Sequence, residues 1–436
     1  MPEKLTIVSK VGANYLRKIF LHPTQDIDVI MDRLNTIEFF VDPINGSVKD
    51  NLNQHLKNIK GVNALFNRLM TESFSVKDIK ILCDNLLNAM RIRDIIVGQN
   101  SYLKIFQQIY DSFTEEMQYL ANMITKIVDL NKSLRTETFE INYGIDVELD
   151  FAKDLYSQLS PILNKVAESE TNTYGHFLRD IHCLYIPQIG FLTSAEHFAS
   201  ESESSSHSDD LQVVVTAGQR IYYKTFTTIE LDQHFGDIHS EIIDRQILII
   251  NRLQQYIANY RHLFNTIEKY CAKLDALIAM SQIAVNYRYC KPNITTDGVI
   301  EIRDGRHPLI ELMSKTFVPN DYYSGGQHKK VKIISGPNAC GKSVYLKQIC
   351  LIVFMAHIGS YVPALSANIP IVDRIFTRLH TPESMSMRLS TFMLDLNQMS
   401  NASKYTTKRS LVVVDEFGKG TQSVDGLALM AACLNQ

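Results

Sequence analysis

The longest stretch without a helix-breaking residue sets the strongest limit on the fold. Residues 237–291 contain neither glycine nor proline over 55 positions. Apolar and tyrosine side chains recur there at alternating steps of four and three, at Ile249, Leu253, Tyr256, Tyr260, Leu263, Ile267, Tyr270, Leu274 and Leu277. This heptad spacing predicts one long helix, which would extend about 80 Å at 1.5 Å per residue. Two shorter helices joined by a turn without glycine or proline are the alternative.

The segments before this stretch provide a partner for it. Residues 1–182 show apolar spacings of three and four, which predict helices. Residues 183–236 change to a period of two in "LYIPQIGFL" and "LQVVVTAGQRIYYKT", which predicts strands and a hairpin turn at Ala217-Gly218. The serine-rich acidic stretch at 195–211 predicts a solvated, disordered loop, for which a plain linker is favoured over a phosphorylation site. We therefore predict a helical arm with a small β-rich insertion at its tip.

The composition changes again after Pro292. Residues 292–436 contain short apolar runs, "GVIEIRDGRHPLIEL", "VKIISG", "IPIVDRIFTRLH" and "SLVVVDEFG", between helical or glycine-bearing segments. Apolar strands without clean alternation are typical of a parallel sheet that is buried on both faces. The predicted fold class is thus helical in the first part and α/β over 292–436.

Composition excludes several classes of protein. The 45% hydrophobic and 21% charged residues are those of a folded chain, and the net charge of -3 excludes a uniformly basic nucleic-acid binder but not local basic patches. The seven scattered cysteines form no Cys-x-x-Cys pair, which predicts reduced thiols in the cytosol or nucleus and no structural zinc. We expect no secretory signal and no membrane segment, because the most apolar run, Ile349–Ala356, is too short to cross a bilayer.

A phosphate-binding motif follows one of the predicted strands. "GPNACGKS" fits Gly-x-x-x-x-Gly-Lys-Ser, with the predicted strand "VKIIS" before it and a predicted helix from Lys342 onward. Backbone N–H groups and the helix N-terminus would attract phosphate oxygens, Lys342 would reach the β- and γ-phosphates, and the Ser343 hydroxyl would ligate Mg²⁺. We therefore predict ATP and Mg²⁺ as cofactors. The predicted loop comprises Gly336, Pro337, Asn338, Ala339, Cys340, Gly341, Lys342 and Ser343.

A pair of carboxylates completes the predicted site. Four apolar residues in "SLVVVDEFGKGT" lead directly to Asp415 and Glu416. A strand beside the first would bring Asp415 to the Mg²⁺ shell, and Glu416 would polarise the attacking water or act as its general base. The alternative is a strand that ends in two acids by chance, and it is disfavoured because the same chain also contains the phosphate-loop motif. The predicted catalytic residues are Glu416 and Lys342.

With these motifs in place, the chain resembles the MutS family of ATP-dependent DNA-binding clamps over nearly all of its length. "ISGPNACGKSVYLKQ" is similar to the family's phosphate loop, and "LSTFMLDLNQ" resembles its signature segment. "SLVVVDEFGKGTQSVDG" matches the family's most diagnostic block, while "YIPQIGFL" and "KTFVPN" are similar to its meiotic branch. The resemblance implies a long helical lever arm with a β-rich clamp tip over 183–236. It also implies a returning helix over 237–291 and an ABC-type P-loop ATPase domain over 292–436.

The resemblance also assigns roles to individual residues. It implies that Phe317 stacks on adenine, that Asn338 approaches the γ-phosphate, and that Ser390 senses the γ-phosphate bound across a dimer. A core position for Phe317 and a helix N-cap for Ser390 are the local alternatives. Ala339 and Cys340 depart from the family pattern, which implies a different affinity for nucleotide.

The function implied by the resemblance is that of an ATP-dependent DNA clamp subunit in meiotic recombination. Such a subunit would work in the nucleus, pair with a second meiotic MutS homologue, and bind double-stranded DNA or branched junctions. Arg220 and Lys224 at the tip would contact phosphates, with a merely solvated hairpin as an equal alternative. A mismatch-repair subunit and a truncated fragment that binds without hydrolysis are the other hypotheses. A chromosome-maintenance ATPase is disfavoured, because its coil lies between the two nucleotide motifs and here the coil lies upstream of both.

The last expectation concerns activity. The family pattern continues past "ALMAACLNQ" with a strand that carries a switch histidine and with a dimerisation element, and it has mismatch-reading and connector domains before residue 1. We therefore expect the 436-residue chain to bind nucleotide poorly and to hydrolyse almost none. The check is ATP turnover by the purified chain, and turnover that Glu416→Gln abolishes would contradict this expectation.

Overall fold

The chain forms two compact units, each built from segments that are separated in the sequence. The computed structural model describes residues 7–71, 73–99, 102–176, 178–197, 211–314, 316–379, 391–417 and 423–435. The first unit comprises Met1–Val62, Asp84–Met117 and Leu263–Gln436, and the second comprises Asn63–Cys83 and Gln118–His262. The division into four domains, 1–182, 183–236, 237–291 and 292–436, stays a prediction.

The described part of the N-terminal region is helical, as predicted, and one 3₁₀ turn at Pro43–Asn45 interrupts it. The helices are α1 (Lys10–Leu21), α2 (Ile27–Val41), α3 (Gly46–Leu56), α4 (Asn63–Leu69), α5 (Val76–Val97), α6 (Lys104–Ser112), α7 (Glu115–Ile127), α8 (Leu130–Thr136), α9 (Val147–Ser157) and α10 (Leu159–Tyr174). Side chains fix several starts: the Asp26 carboxylate caps α2 by accepting hydrogen bonds from the backbone N–H groups of Asp28 and Val29. The helical region ends slightly before residue 182, because a strand begins at Leu178.

The predicted strands of the second unit form one antiparallel sheet. They are β1 (Leu178–Ile186), β2 (Gly190–His197), β3 (Gln212–Ala217) and β4 (Arg220–Lys224), in the order β1-β2-β4-β3. The predicted hairpin at Ala217-Gly218 is confirmed, and "LYIPQIGFL", predicted only as a strand, forms a second hairpin with its turn between Ile186 and Gly190. Most of the predicted loop at 195–211 lies outside the described residues.

The prediction of one unbroken helix over 237–291 is wrong. The segment forms two helices, α12 (Ile238–Asn259) and α13 (Arg261–Asn286). A further helix, α11 (Phe226–Phe235), lies just before the segment. Tyr260 leaves the helix with φ −96° and ψ 15°, and its N–H donates to the Ile257 carbonyl in a tighter turn. The hydroxyl groups of Tyr256 and Tyr260 are hydrogen-bonded at 2.9 Å across this turn. The chain thus leaves the helix at Tyr260 without the glycine or proline that commonly marks such a break.

The seam residues confirm the heptad pattern only after the break. Leu263, Ile267, Leu274 and Leu277 are buried in α13, as the pattern predicts. In α12 the buried side chains are Ile238, Ile250, Leu253 and Ile257. Of the predicted seam there, Leu253 is buried, whereas Ile250 and Ile257 are buried in place of their neighbours Ile249 and Tyr256. The interruption at Tyr260 allows each helix to bury its own face.

A buried carboxylate anchors α1 to α13 in the first unit. Asp275 is fully buried and accepts hydrogen bonds from the Ser9 N–H at 2.9 Å, the Ser9 hydroxyl and the Val8 N–H. Burial raises the pKa of Asp275, while these donors oppose the rise. A Cβ atom on Gly12 would lie 2.1 Å from the Asp275 carboxylate, so only glycine permits this close approach.

The C-terminal region mixes strands and helices, which confirms the coarse prediction for it. It contains β5 (Asn293–Thr295), β6 (Ile300–Gly305), α14 (Ile310–Met313), β7 (Asn320–Ser324), α15 (Lys342–His357), β8 (Ser366–Pro370), β9 (Ile375–Arg378), α16 (Thr391–Tyr405), β10 (Leu411–Val414) and α17 (Ser423–Asn435). The sheet of order β5-β8-β6-β7 is mixed rather than parallel, because β6 runs antiparallel to both of its neighbours. The pairs β5–β8 and β9–β10 are parallel.

The predicted strand "VKIIS" is not observed. Residues 331–337 have no strand pairing, and Val331 and Ile333 are 60% and 82% exposed. A strand needs a neighbouring backbone for its ladder, and none of the described strands lies alongside these residues. The apolar core instead lies between α15 and the strands β6, β8 and β10, through Ile302, Ile349, Ile352, Val353, Ile369 and Val413. Among the described residues, no helix combines the length and apolar character needed to span a bilayer.

The start of α12 is held by a carboxylate that the β1–β2 turn also uses. Asp237 caps α12 by accepting from the Ser240 N–H at 3.2 Å and the Ser240 hydroxyl at 2.7 Å. It also accepts from the Tyr185 hydroxyl and from the Gln188 N–H at 3.0 Å. The Tyr185 hydrogen bond, followed by the bonds from Ser240, lowers the pKa of Asp237, and burial is the main reason that the pKa of Tyr185 rises to about 12.

We expect Asp237→Ala to lower the free energy of unfolding by about 1–2 kcal/mol at pH 7, because a cap and its donors lose their acceptor. Because the pKa of Asp237 is lowered by folding, its contribution is complete above the unfolded value near 4 and disappears as the pH falls through the folded value. Urea unfolding at pH 7 and at several acidic pH values measures the difference. The control is Asp244→Ala, at an exposed position of the same helix. Equal losses in the two variants, or a difference that does not shrink in acid, would refute the assignment.

Candidate nucleotide-binding site

The predicted phosphate loop leads directly into the N-terminus of α15. Gly341 precedes the first helical residue with φ +95°, a conformation that glycine adopts without steric cost. Ala339 also has a positive φ, +61°, which for a residue with a Cβ atom carries backbone strain. The Lys342 ammonium donates to the carbonyls of Gly336 at 2.7 Å and Pro337 at 2.8 Å. The lysine thus lies folded over the loop that the sequence predicts to hold phosphates.

The two sequence motifs meet at one hydrogen bond. The Ser343 hydroxyl, at the start of α15, donates to the Asp415 carboxylate, which follows β10 directly. Asp415 is 8% exposed, whereas Glu416 is exposed and has φ +49°. Two residues that are 72 positions apart in the sequence therefore lie at the same end of the α/β region.

A buried arginine, which the sequence analysis did not identify, is hydrogen-bonded to the backbone of Asp415. Arg378, at the end of β9, donates from Nη1 to the Asp415 carbonyl at 2.6 Å and from Nη2 to the Asp395 carboxylate of α16. The side chains of Arg378 and Asp395 are only 10% and 3% exposed. The available signal was one charged residue in each of two apolar segments, "IFTRL" and "TFMLDL".

The other described residues of the predicted nucleotide site differ in their exposure. Phe317 is half-buried in the segment that precedes β7, and Asn338 is exposed in the loop. Pro337 and Cys340 are exposed in the same loop. Ser390 lies outside the described residues, so its predicted role across a dimer stays a prediction, as does adenine stacking by Phe317.

The two predicted DNA contacts are ion-paired, Arg220 within the antiparallel sheet and Lys224 with a carboxylate of α11. Arg220 pairs with Asp180 and donates to the Ser194 hydroxyl at 3.3 Å. Lys224 pairs with Asp232, and its side chain is 13% exposed. Asp232 also accepts from the Phe191 N–H at 2.9 Å, so the Lys224 pair joins β4 to β2. Contact between either residue and DNA stays a prediction, and it would require phosphates to compete with these carboxylates.

The side chains at the loop fit a magnesium–nucleotide complex in their chemistry. The Ser343 hydroxyl and the Asp415 carboxylate are oxygen ligands of the kind that Mg²⁺ prefers beside phosphate oxygens and water. The N-terminus of the 16-residue helix α15 and the Lys342 ammonium supply positive charge for phosphate groups.

Comparison with known proteins matches two parts of the chain to domains of one family. Residues 6–281 match MutS domain III, and residues 332–436 match MutS domain V. The chain is 33% identical to MutS protein homolog 5 of Caenorhabditis elegans and 26% identical to MutS protein homolog 5 of Saccharomyces cerevisiae. It is 30% identical to the DNA mismatch repair protein MutS of Microcystis aeruginosa. These alignments cover 98%, 98% and 96% of this chain but only 31%, 51% and 47% of the three relatives, so the chain spans a third to a half of their length.

Cys340 provides a direct chemical test of the loop. It is exposed, whereas Cys350 on α15 is buried, and burial raises the pKa of the Cys350 thiol to about 12. We expect iodoacetamide at pH 7.5 to alkylate Cys340 more than about tenfold faster than Cys350, because the thiolate is the reactive form and must be accessible. Peptide mass spectrometry measures both rates, with Cys340→Ser as the control. Equal rates would mean that the loop is not accessible as described.

Proposed function

The chain belongs to the MutS family, and we propose that it forms part of an ATP-dependent DNA clamp subunit that acts in meiotic recombination. The observation that supports the proposal most is the hydrogen bond from the Ser343 hydroxyl to the Asp415 carboxylate, because Ser343 ends the Gly-x-x-x-x-Gly-Lys-Ser motif and Asp415 begins the acid pair. The similarity to two proteins named MutS protein homolog 5, over 98% of this chain, supports the meiotic branch. In this proposal, residues 292–436 belong to a P-loop ATPase domain of the ABC type.

The proposed chemistry assigns a separate task to each side chain. The loop N–H groups and Lys342 would hold the phosphates of ATP, while Ser343 and Asp415 would ligate Mg²⁺. The cation would offset charge on the phosphate oxygens. Glu416, exposed beside the buried Asp415, would orient and polarise the attacking water as its general base.

The first unit contains a rigid connection between this site and the N-terminal helices. Helix α15 is 16 residues long, about 24 Å at 1.5 Å per residue, and its N-terminus carries the loop. At its other end Arg33 of α2 donates to the Ile358 carbonyl at 2.7 Å, and the Thr24 N–H donates to the His357 carbonyl at 3.1 Å. A shift of α15 on nucleotide binding would therefore move α1 and α2 with it. This connection supports the proposal that ATP binding repositions lever helices.

The proposed partners follow from family membership. We expect double-stranded DNA or branched junctions as the ligand, a second meiotic MutS homologue as the partner of a heterodimer, and the nucleus as the location. Phe317 would stack on adenine, Asn338 would approach the γ-phosphate, and Ser390 would reach the partner's nucleotide. A mismatch-repair subunit is the second candidate, favoured by the 30% identity to the mismatch repair protein of Microcystis aeruginosa.

Nucleotide affinity tests the proposed site on this chain. We expect a fluorescent ATP analogue to bind weakly, and Lys342→Ala to weaken that binding by about tenfold or more, because a charge-assisted contact to phosphate is lost. Lys347→Ala, at an exposed position of the same helix, is the matched control. Glu416→Gln is expected to leave the affinity for the ATP analogue unchanged, since Glu416 is assigned to the attacking water and not to the phosphates. Equal affinity of the Lys342 and Lys347 variants would refute the phosphate assignment.

A competition assay separates the two candidate functions. The longest available form of the protein is mixed with a labelled four-way junction, and unlabelled homoduplex or single-mismatch duplex is added. Preferential retention of the junction supports the meiotic clamp. Preferential displacement by the mismatched duplex supports the repair subunit. Equal competition by both duplexes and by the junction would count against both.

A further inference from the structure

Arg378 and Asp415 hold each other through two hydrogen bonds of opposite direction. The Asp415 N–H donates to the Arg378 carbonyl at 2.7 Å, and Arg378 Nη1 donates back to the Asp415 carbonyl at 2.6 Å. Both backbone polar groups of residue 415 are therefore fixed by residue 378. The orientation of the peptide unit after Val414 determines where the Asp415 side chain points, and in this structure it points to Ser343.

The second arm of the same guanidinium reaches a different element. Nη2 of Arg378 donates to the Asp395 carboxylate, one turn into α16. Both side chains are at least nine-tenths buried, and Nε of Arg378 is buried without a hydrogen-bond partner among the described residues. Burying two charges in this way adds little stability compared with an apolar pair of the same volume. Arg378 instead links the Asp395 carboxylate of α16 to the backbone carbonyl of Asp415, the residue whose carboxylate lies beside the predicted phosphate loop.

We propose that Arg378 is a positioning residue that sets the Asp415 carboxylate according to the position of α16. The inference rests on the proposed function, because it concerns the carboxylate assigned to Mg²⁺. A planar guanidinium suits this task, since its two nitrogens hold a carboxylate and a carbonyl at fixed mutual geometry. When α16 moves, Asp395 moves the guanidinium, and the Asp415 carbonyl follows. Nucleotide loaded with Mg²⁺ is then bound well only when α16 has its present position.

A second arginine that contacts α16 provides a matched control. Arg374 lies just before β9, and its Nη1 donates to the Tyr405 carbonyl at 2.6 Å, at the C-terminal end of α16. Its guanidinium also lies 5.8 Å from the centre of the Tyr405 ring. Arg374 thus attaches α16 to β9 without touching Asp415. A variant at this position reports what loosening of α16 does by itself.

The experiment measures the gain in nucleotide affinity that Mg²⁺ gives over EDTA, with a fluorescent ATP analogue and the 436-residue chain. We expect Arg378→Ala and Asp395→Asn to lose most of this gain, about tenfold, as Asp415→Asn does, because the metal-ligating oxygen is displaced. Affinity in EDTA depends on the loop and Lys342, so it is expected to stay within about twofold of wild type. Arg374→Ala is expected to keep the gain. Arg378→Lys is expected to retain part of it, since an ammonium cannot hold two acceptors in the same fixed fork.

A further variant separates positioning from folding. Replacing one member of a buried ion pair leaves a charge without its partner, whereas Arg378→Met combined with Asp395→Leu removes both charges at similar volume. We expect this double variant to melt at the wild-type temperature and still lose the Mg²⁺ gain. Retention of the full gain in the folded double variant, or an equal loss in Arg374→Ala, would overturn the proposal.

Hydrogen exchange distinguishes failure of the inference from failure of the proposed function. If wild-type protein bound no nucleotide under any condition, the proposed function would fail. The exchange rates of the amides of 411–417, measured without nucleotide, would still decide the positioning claim. We expect faster exchange in the Arg378 and Asp395 variants and wild-type exchange in Arg374→Ala. Unchanged exchange in all variants would show that Arg378 does not hold Asp415.

Discussion

The hydrogen bond between the Ser343 hydroxyl and the Asp415 carboxylate fixes where α15 begins relative to where β10 ends. Without this contact the phosphate loop and the acid pair would be two separate sequence patterns. The hydroxyl and the carboxylate are also the two oxygens that the proposed function assigns to Mg²⁺. The backbone on each side carries local strain, since Ala339 and Glu416 both have positive φ. Such strain is stored where the surrounding structure holds a chain in one functional geometry.

The surroundings of this contact make it part of a larger mechanical arrangement within the first unit. Arg378 fixes Asp415 from the side of the sheet and α16, while Arg33 and Thr24 hold the far end of α15. Two hydrogen-bonded routes therefore lead away from the loop. One leads along α15 to α1 and α2, and the other leads through β9 to α16. Close-packed cores transmit displacements of this kind because they deform little.

The sequence predicts those parts of the fold and the site that depend on local spacing. The motif at 336–343, the Asp415-Glu416 pair and the hairpin at Ala217-Gly218 are recognised from residues that are neighbours in the chain. The predictions fail where a distant residue decides. The apolar run at 331–335 is not a strand because no described strand pairs with it. The prediction at Tyr260 fails for a different reason, since neither glycine nor proline marks the break in the sequence. Arg378 was missed because its partners lie 17 and 37 positions away, and the pairing of Arg220 with Asp180 and of Lys224 with Asp232 is not visible in charge alone.

The buried carboxylate of Asp275 has a consequence for the order of events during synthesis. It receives its hydrogen bonds from Val8 and Ser9, which leave the ribosome more than 260 residues earlier. The Val8 and Ser9 N–H groups therefore cannot donate to Asp275 until that residue has been synthesised. A nascent chain that is interrupted before residue 275 lacks the carboxylate that accepts these hydrogen bonds from Val8 and Ser9. Contacts of such long sequence separation form slowly, because loop closure must precede them.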